Sequence, residues 1–415
     1  MNRVFVLDVN RLPLMPCYPA RARQLLKAGQ ARVLRRYPFT IIFAERVGGE
    51  MQPTQVKLDP GSKTTGIAIV VEGKRGKRVV WAGELSHRSN IKSRLEARRA
   101  LRRSRRSRKT RYRAGRFNNR RRRTGWLPPS VQSRVENVKT WVHRLRMMCP
   151  VSALAMELVK FDTQLMQNAE IRGVEYQQGE LAGYEVREYL LEKWRRKCAY
   201  CGKTAIPLQV EHITPRSRGG SDRVSNLTLA CENCNLDKGT QTAAEFGYAH
   251  LQAQAKVPLK DATAVNTTRW VLFGVLKASG LPVEVGTGGR TKFNRTQQNY
   301  PKAHWIDAAC VGESGQRVKL SADQAPLAIV ATGHGNRQMC GTDAYGFPIR
   351  HRAHQKMAHG FQTGDLVRAI VPQGKHAGKH VGRISIRTRP SFKLKNFDVH
   401  PKYLRRIHYA DGYEY

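Results

Sequence analysis

Length, composition and charge narrow the classes of protein to which this chain can belong. The 415 residues, of which 40% are hydrophobic, are enough for two or three domains with buried cores. Lys and Arg number 74 against 31 Asp and Glu, a formal net charge of +43, which is far more than solubility requires. The sequence contains no run of about 18 apolar residues and no signal-peptide pattern. These features exclude a membrane span and predict a cytoplasmic protein that binds a nucleic acid.

The eight cysteines indicate a metal site in a reducing compartment. Four of them form two C-x-x-C pairs, Cys198 with Cys201 and Cys231 with Cys234, and the other four are scattered. A disulfide framework would distribute paired cysteines differently.

The first 50 residues predict a small domain of strands and one helix. "VFVLDVN" and "FTIIFAE" have the apolar composition of strands, and "ARARQLLKAGQARVLRR" is typical of a helix. The "PLMP" stretch at Pro13 to Pro16 is expected to form a rigid turn, because proline fixes its own backbone angle. Next, "TQVKLDPGSKTTGIAIV" and "RVVWAGEL" predict three strands of an antiparallel meander, with Asp59 near the end of the first.

Residues 88–123 differ from the rest of the chain, because half of them are Lys or Arg and Glu96 is their one acid. Their composition favours a helix at least to Tyr112, but the segment lacks a continuous apolar face. Such a run can be a solvated surface or a tail, or a helix that binds phosphates through its guanidinium groups. Its place between predicted core strands favours the second interpretation, with RNA preferred over DNA. The predicted contacts are Arg94, Arg98, Arg99, Arg102, Arg103, Arg105, Arg106, Arg108, Lys109, Arg111 and Arg113.

The remaining elements alternate between helices and strands before a β-rich end. Residues 130–148 predict an amphipathic helix, "VSALAMELVKF" a buried strand that ends near Glu157, and "GYEVREYLLEKWRRK" a helix leading into the cysteines. After them come a helix "TTRWVLFGVLKASG", a strand "PVEVGTG" and a helix "KAHWIDAACVGES". Residues 325–415 contain short apolar strands and turns.

The two cysteine pairs predict a structural zinc site. "CAYC" and "CENC" are separated by about thirty residues, a spacing that suits four thiolates around one tetrahedral Zn²⁺. Because the protein would supply all four ligands, this ion would stabilise the fold and leave no position for substrate. The alternative is four buried cysteines without a metal.

The segment between the cysteine pairs resembles the HNH nuclease family, with its ββα-metal fold, over about residues 195–247. The resemblance rests on "VEHI", the polar loop "SRGGSDRVSN" and the return "NLTLACENCN". It implies that His212 is the general base that activates water, and that Glu211 and Asn235 hold one Mg²⁺. Asn226 would brace the loop that aims the base.

Three acids that are far apart in sequence form a second candidate site. Asp59, Glu157 and Asp307 each lie at the end of, or beside, an apolar element, although a single Asp in a strand is more often structural. "LDPGSKTTGIAI", "ALAMELVKF" and "KAHWIDAAC" resemble the three segments of a RuvC-type, RNase H-like nuclease. The resemblance implies that these acids bind two Mg²⁺ ions and that His304 lies near the scissile phosphate.

The order of these motifs resembles IscB, a family of transposon-encoded RNA-guided nucleases of the OMEGA type, related to the CRISPR effectors. The "PLMP" stretch also fits this family. The implied fold class is α/β, with an RNase H-like core split into three segments. The implied parts are an N-terminal PLMP domain at 1–52, RuvC segments at 53–86, 126–180 and 251–322, a bridge helix at 87–125, a zinc-stabilised HNH domain at 181–250 and a β-rich C-terminal domain at 323–415.

The resemblance also implies partners and a division of labour. One protein would bind one guide RNA, the omega RNA (ωRNA), and would open double-stranded DNA beside a short target-adjacent motif. HNH would cut the guide-paired strand and RuvC the displaced strand, while base pairing supplies the sequence specificity. The basic stretches "TKFNRTQQNYPK" and "RHRAHQKMAHG" are either further RNA contacts or solvated loops.

Two other functions stay open at this point. A guide-independent, structure-specific resolvase or homing nuclease could carry both motif sets, but it would not need an Arg-rich helix between its core segments. A non-catalytic nucleic-acid-binding accessory protein of a transposon would be expected to have lost some of the acids or HNH residues, and the sequence retains them all.

Overall fold

The computed structural model describes residues 2–107, 125–158, 187, 190–191, 193–204, 206–222, 224–257, 262–333, 340–343, 348–351, 355–387 and 389–415. The Arg-rich segment beyond Ser107 and most of the helix predicted before the cysteines lie outside these residues. None of the helices among the described residues combines the length and apolar character needed to cross a membrane.

The N-terminal residues form a four-stranded sheet with one helix, and two local predictions about them are wrong. Its elements are β1 (Val4–Leu7), β2 (Pro13–Cys17), α1 (Pro19–Lys27), β3 (Ala31–Arg35) and β4 (Thr40–Phe43). The sheet has the order β2-β1-β4-β3. The "PLMP" stretch is therefore strand β2 rather than a turn, and it is an edge strand, where a missing proline N–H is tolerated. The predicted helix stops at Lys27, because Gly29 has a positive φ of 68° that ends a helix.

The next elements follow the predicted order closely. They are β5 (Thr54–Pro60), β6 (Thr64–Gly73), β7 (Gly76–Ser86), α2 (Ile91–Ser107), α3 (Pro129–Met148) and β8 (Ala153–Glu157). Strands β5, β6 and β7 pair antiparallel in sequence order, which confirms the predicted meander. The Arg-rich helix α2 is described as far as Ser107.

The cysteine module and the segment after it complete the middle of the chain. Their elements are β9 (Gln209–His212), β10 (Leu227–Ala230), α4 (Glu232–Lys238), α5 (His250–Lys256), α6 (Ala262–Lys277), β11 (Val283–Gly286), α7 (Gly288–Gln297), α8 (His304–Ala309), β12 (Val318–Lys319) and β13 (Leu327–Ala331). The basic stretch "TKFNRTQQNYPK" is largely helix α7, so the alternative that it is a solvated loop is wrong for most of its length.

The C-terminal residues are rich in strands, as predicted. They contain β14 (Cys340–Thr342), β15 (Pro348–His351), β16 (Met357–Ala358), β17 (Phe361–Gln362), β18 (Leu366–Val371), β19 (Gly378–Ser385), β20 (Phe392–Leu394), β21 (Phe397–Val399), β22 (Leu404–His408) and β23 (Tyr413–Glu414). A five-stranded sheet has the order β21-β20-β19-β18-β22. It packs around its own small core, which includes Val367, Ile384 and Phe392.

The central sheet organises the molecule. Among the described residues it contains eight strands in the order β11-β8-β5-β6-β7-β13-β23, with β12 also paired to β7. Strand β8 is parallel to both β5 and β11. The cysteine module therefore lies in the chain between two neighbouring parallel strands, β8 and β11, so it interrupts the connection between them.

The two faces of the central sheet have separate cores, because successive side chains in a strand point to opposite sides. On one face, Leu58 and Ile67 lie in a large cluster with Trp141 of α3 and Leu272 of α6. On the other face, Ala68 lies in a smaller cluster with residues of α8. The result is a mixed α/β layer arrangement, with α3 and α6 covering one face and α8 covering the other.

Candidate active sites

Neighbouring elements bring the three separated acids together at one edge of the central sheet. Asp59 lies near the end of β5, and Glu157 is the last residue of β8. These strands are parallel, with Leu58 opposite Met156, so the two carboxylates leave the sheet at the same edge. Asp307 belongs to α8, which packs against the core-facing residues of β6.

Helix α8 is held tightly against the sheet. A Cβ atom on Gly66 of β6 would overlap the carbonyl oxygen of His304, so glycine is required for the helix to approach this closely. At the other end of the helix, the buried Lys57 donates hydrogen bonds to the carbonyl oxygens of Ala309 at 3.3 Å and Val311 at 2.7 Å. Burial is the main cause that lowers the pKa of Lys57, to about 8. Both contacts fix the position of Asp307 relative to the strands.

Basic side chains contact each of the three acids. Arg269 of α6 lies 2.8 Å from Glu157 Oε1 and 3.8 Å from Asp59 Oδ1. Arg295 of α7 lies 2.7 Å from Asp307 Oδ1, and His304 Nδ1 lies 3.8 Å from Asp59 Oδ2. The guanidinium groups therefore neutralise part of a concentrated negative charge.

Burial and neighbouring carboxylates raise the pKa of Glu157 and Asp307. Burial, followed by the charge of Asp59, raises the pKa of Glu157 to about 7. The same two causes, in the same order, raise the pKa of Asp307. The nearby Asp59 carboxylate is the main cause that raises the pKa of His304. Carboxylate oxygens are the donors that Mg²⁺ prefers, so the chemistry of the three acids fits the expected ion.

The four cysteines of the two C-x-x-C pairs converge as the zinc prediction requires. Their sulfur atoms all lie within 4.8 Å of one another, and no other group of three or more His, Cys, Asp or Glu ligand atoms in the described part of the chain is so close. Burial raises the pKa of Cys198, but hydrogen bonds from the backbone of Cys201 and Cys231 outweigh it and lower the pKa to about 7. Four sulfurs at this spacing fit a tetrahedral Zn²⁺.

The hairpin of β9 and β10 presents the HNH residues beside the cysteines. Glu211 and His212 are the last two residues of β9, and His212 pairs with Leu227 of β10. Glu211 is 6% exposed, and the buried Lys238 lies 2.6 Å from its Oε1 atom. The hydroxyl of Tyr200, inside the first C-x-x-C pair, donates to Glu211 Oε2 at 2.6 Å. The zinc loop and the candidate Mg²⁺ ligand are thus joined by one hydrogen bond.

Asn226 closes the loop between the two strands. Its Oδ1 atom accepts from the Thr214 amide at 2.9 Å, and its Nδ2 atom donates to the carbonyl oxygens of Thr214 at 3.0 Å and Ser221 at 2.9 Å. These bonds give Asn226 the bracing position that the sequence predicts. Asn235 lies in α4, where its Nδ2 atom donates to Gln209 Oε1 at 2.7 Å.

His212 has a carboxylate partner that the sequence did not predict. Its Nε2 atom lies 2.6 Å from Asp222 Oδ1. Arg216 binds the same oxygen through Nε at 2.8 Å and through a terminal nitrogen at 2.7 Å. The hydrogen bond with His212 is the largest of the causes that together lower the pKa of Asp222.

Comparisons with known protein families identify two regions. Residues 4–179 match the family model described as "RRXRR protein", and residues 198–241 match the model described as "HNH endonuclease". The second region includes both cysteine pairs, His212, Asn226 and Asn235. The chain therefore contains an HNH endonuclease domain. An RRXRR region followed by an HNH domain is consistent with the IscB-like nuclease that the motifs indicated.

Solved structures similar to this nuclease include Cas9 enzymes. One is Streptococcus thermophilus Cas9 in complex with the GGAA PAM, with 14% identity over 63% of this chain and 32% of that one and a TM-score of 0.24. Another is the Type II-C Cas9 from Actinomyces naeslundii, with 10% identity over 87% of this chain and 77% of that one and a TM-score of 0.21. The nuclease spans about a third of the length of the Streptococcus enzyme. No curated protein sequence matches it at a significant level.

The structure brings together all four residues predicted for the acidic site, and it places the four predicted HNH residues in one small module. Sequence reasoning missed Lys57, Tyr200, Asp222, Lys238, Arg269 and Arg295. Asp222 was the most accessible of them to prediction, because it is the one acid in the loop quoted between His212 and Asn226. The others lie far along the chain from the residues they contact, or they resemble ordinary surface residues in sequence.

The predicted phosphate-contacting arginines are only partly within the described residues. Arg94, Arg98, Arg99, Arg102 and Arg103 lie on α2 and are exposed, and Arg105 and Arg106 belong to the same helix. The predicted contacts Arg108, Lys109, Arg111 and Arg113 lie outside the described residues. Every residue from 92 to 100 is exposed, so this part of α2 presents charge on all sides.

Proposed function

We propose that the nuclease is an RNA-guided DNA endonuclease with two active sites, one for each strand of an opened target duplex. The observation that carries this proposal is the position of the HNH module between strands β8 and β11, two neighbours in the sheet whose edge carries Asp59, Glu157 and Asp307. One chain thereby holds two separate sets of residues suited to phosphodiester hydrolysis. HNH would cut the guide-paired strand, and the acidic site would cut the displaced strand as a RuvC-type centre.

The charge distribution supports a guide RNA as the resident partner. A net charge of +43 is destabilising for a compact protein unless a polyanion neutralises it. Helix α2 begins five residues after β7 of the central sheet, so a bound nucleic-acid backbone would run close to the acidic edge. Contacts of this kind follow phosphate spacing rather than base identity, which leaves sequence recognition to base pairing.

At the acidic site, Asp59, Glu157 and Asp307 would hold two Mg²⁺ ions. Bound Mg²⁺ polarises the phosphate and lowers the pKa of an attacking water. The protein's own contribution is the position of its carboxylates, fixed by the strands and by α8. Arg269 and Arg295 would balance the negative charge, and His304, which is half exposed, would contact the scissile phosphate.

At the HNH site, His212 would remove a proton from the attacking water. Glu211 and Asn235 would hold one Mg²⁺, which supplies the Lewis acid at this site. Lys238 and Tyr200 fix the direction of the Glu211 carboxylate, since each contacts one of its oxygens. The loop closed by Asn226 contacts His212 through Asp222.

The resident RNA tests the proposal directly. We would purify the nuclease from cells that express its own genomic flanks and sequence the RNA that stays bound at high salt. We expect one abundant structured RNA with a variable end, and we expect the complex to cleave DNA that matches this end. A random mixture of cellular RNAs would overturn the guided function and make a structure-specific nuclease the better hypothesis, with branched DNA as the next substrate.

A further inference from the structure

We propose that Asp222 is a positioning residue for HNH cleavage, which fixes the ring orientation and the tautomer of His212. Neither the motif nor the family match assigns it a role. The inference concerns the same reaction as the proposed function, and the cleavage part of its test rests on that function.

The contact between the two side chains determines which nitrogen of His212 is free. A carboxylate accepts hydrogen bonds, so the 2.6 Å contact with Asp222 Oδ1 places the hydrogen of His212 on Nε2. The lone pair of the neutral ring is then on Nδ1, which becomes the atom able to take a proton from water. The His212 side chain is 22% exposed, so water can reach it.

The loop is built to deliver Asp222 to this place. Asn226 binds the backbone at Thr214 and at Ser221, the residue just before Asp222. A Cβ atom on Gly220 would overlap the carbonyl oxygen of Thr214, so the loop is closed as tightly as glycine allows. By bracing the loop, Asn226 therefore holds in place the Asp222 carboxylate, which orients the base.

Arg216 completes the arrangement. It binds the Asp222 oxygen that His212 also binds, so two side chains hold the carboxylate. A carboxylate in this position also stabilises the positive ring that forms when His212 accepts a proton. A simple surface ion pair between Asp222 and Arg216 would contribute little and would not require the contact with His212.

The tautomer of His212 is the most direct test, because it needs neither guide nor DNA. We would record ¹⁵N-histidine NMR spectra of the full chain for the wild type, Asp222→Asn and Asp222→Ala, with His212 assigned by its loss in His212→Ala. Asp237→Asn, which changes an exposed acid of the same domain, is the matched control. We expect the Nε2–H form in the wild type and the control, and a mixture of tautomers in both Asp222 variants. An unchanged His212 tautomer in Asp222→Ala would overturn the proposal.

Strand-specific cleavage by the RNA-loaded nuclease provides the second readout. We expect Asp222→Asn to slow HNH cleavage about 10- to 100-fold, the usual effect of losing an orienting partner, with partial rescue in Asp222→Glu. Cleavage by the acidic site serves as the internal control and should keep its rate. A change in the magnesium midpoint as large as the change in rate would instead assign Asp222 to metal binding. If the wild-type complex does not cleave, the proposed function fails, while the NMR result still decides the role of Asp222.

Discussion

The acidic site and the HNH site are assembled in opposite ways. The acidic site takes Asp59, Glu157 and Asp307 from elements spread over some 250 residues, and the packing of the central sheet brings them together. The HNH site takes all its predicted residues from positions 211–235, and four cysteines, one braced loop and a short helix hold them. The acidic site depends on the packing of the whole core. The HNH site depends on a local structure, the four-cysteine cluster with its loop and helix, which is called the zinc clasp below.

This difference teaches where each site is vulnerable. Damage to the clasp should abolish one activity and leave the other, because the HNH module has its own core, with Leu208, Leu229 and Ala230 among its buried residues. Damage to the central sheet should affect the acidic site first. The two sites also bury one lysine each, Lys57 and Lys238, in different electrostatic surroundings, which allows a matched comparison.

The largest expected effect comes from breaking the zinc clasp. Structural zinc contributes about 10–16 kcal/mol in small zinc domains, so Cys198→Ser should unfold the HNH module and abolish its strand cut. Cleavage by the acidic site should persist. Zinc content, protease sensitivity near residues 198–241 and strand-specific cleavage measure this, with Cys340→Ser as the control outside the cluster. Equal loss of both cuts would show that the two modules do not fold separately.

Substitution of one proposed catalytic residue at a time should leave cleavage of only one DNA strand. We expect His212→Ala to leave a nickase for the displaced strand and Asp59→Ala to leave a nickase for the guide-paired strand. Each change should slow its own cut by about 100- to 10,000-fold, and end-labelled strands of one duplex report both rates together. If either single change abolished both cuts, the active sites would not be independent.

The two buried lysines should differ in their cost to stability. Lys238→Met leaves the buried Glu211 carboxylate without its ion-pair partner, which should cost about 3–5 kcal/mol. Lys57→Met leaves two neutral carbonyl oxygens without a donor, which should cost about 1–3 kcal/mol. Hydrogen exchange of each module measures the free energy of its opening. Equal losses would mean that the charge of Glu211 is not what Lys238 stabilises.

The smallest expected effect is a pH dependence specific to the acidic site. The folded protein holds the proton of Glu157 up to a pKa of about 7, whereas the ordinary value is 4.5. Between these values the folded state binds more protons than the unfolded state, so this group makes stability fall as pH rises through the window. Between pH 5.5 and pH 8 the change should be about 2 kcal/mol.

Glu157→Gln isolates this contribution, because glutamine does not titrate. Urea unfolding at pH 5.5 and pH 8, with zinc retained and no magnesium added, should give a steeper decline for the wild type than for the variant. Parallel declines in the two proteins would show that Glu157 is ionised across the whole range. Added Mg²⁺ should reduce the wild-type slope, since the ion favours the charged carboxylate.

The sequence indicated the elements that carry the two candidate sites better than it indicated their surroundings. The strands that carry Asp59 and Glu157 have strong apolar patterns, and the HNH residues lie within one short, distinctive segment. Lys57, Arg269 and Arg295 were not predictable, because their roles depend on which helix packs on which face. The charged Lys57 interrupts the apolar pattern of its strand, and its burial is explained only by its hydrogen bonds to two carbonyl oxygens.

Local errors occurred where tertiary pairing overrides local preference. The "PLMP" stretch has the composition of a turn, yet it pairs with β1 at the edge of a sheet. The Arg-rich end of the first predicted helix forms strand β3 beside β4. The orienting acid Asp222 was missed for a different reason, since one carboxylate in a polar loop is indistinguishable from a solvated one until the loop is closed.

The glycine at position 66 makes the geometry of the acidic site sensitive to a very small change. A methyl group there would meet the backbone of His304 and push α8 away from the sheet, although every acid would remain in the sequence. Under the proposed function, such a change would silence the acidic site and leave a single-strand cutter with all three acids intact. A check that the three acids are present would not detect such a variant. The residue at position 66, which lies against the backbone of His304, would reveal it.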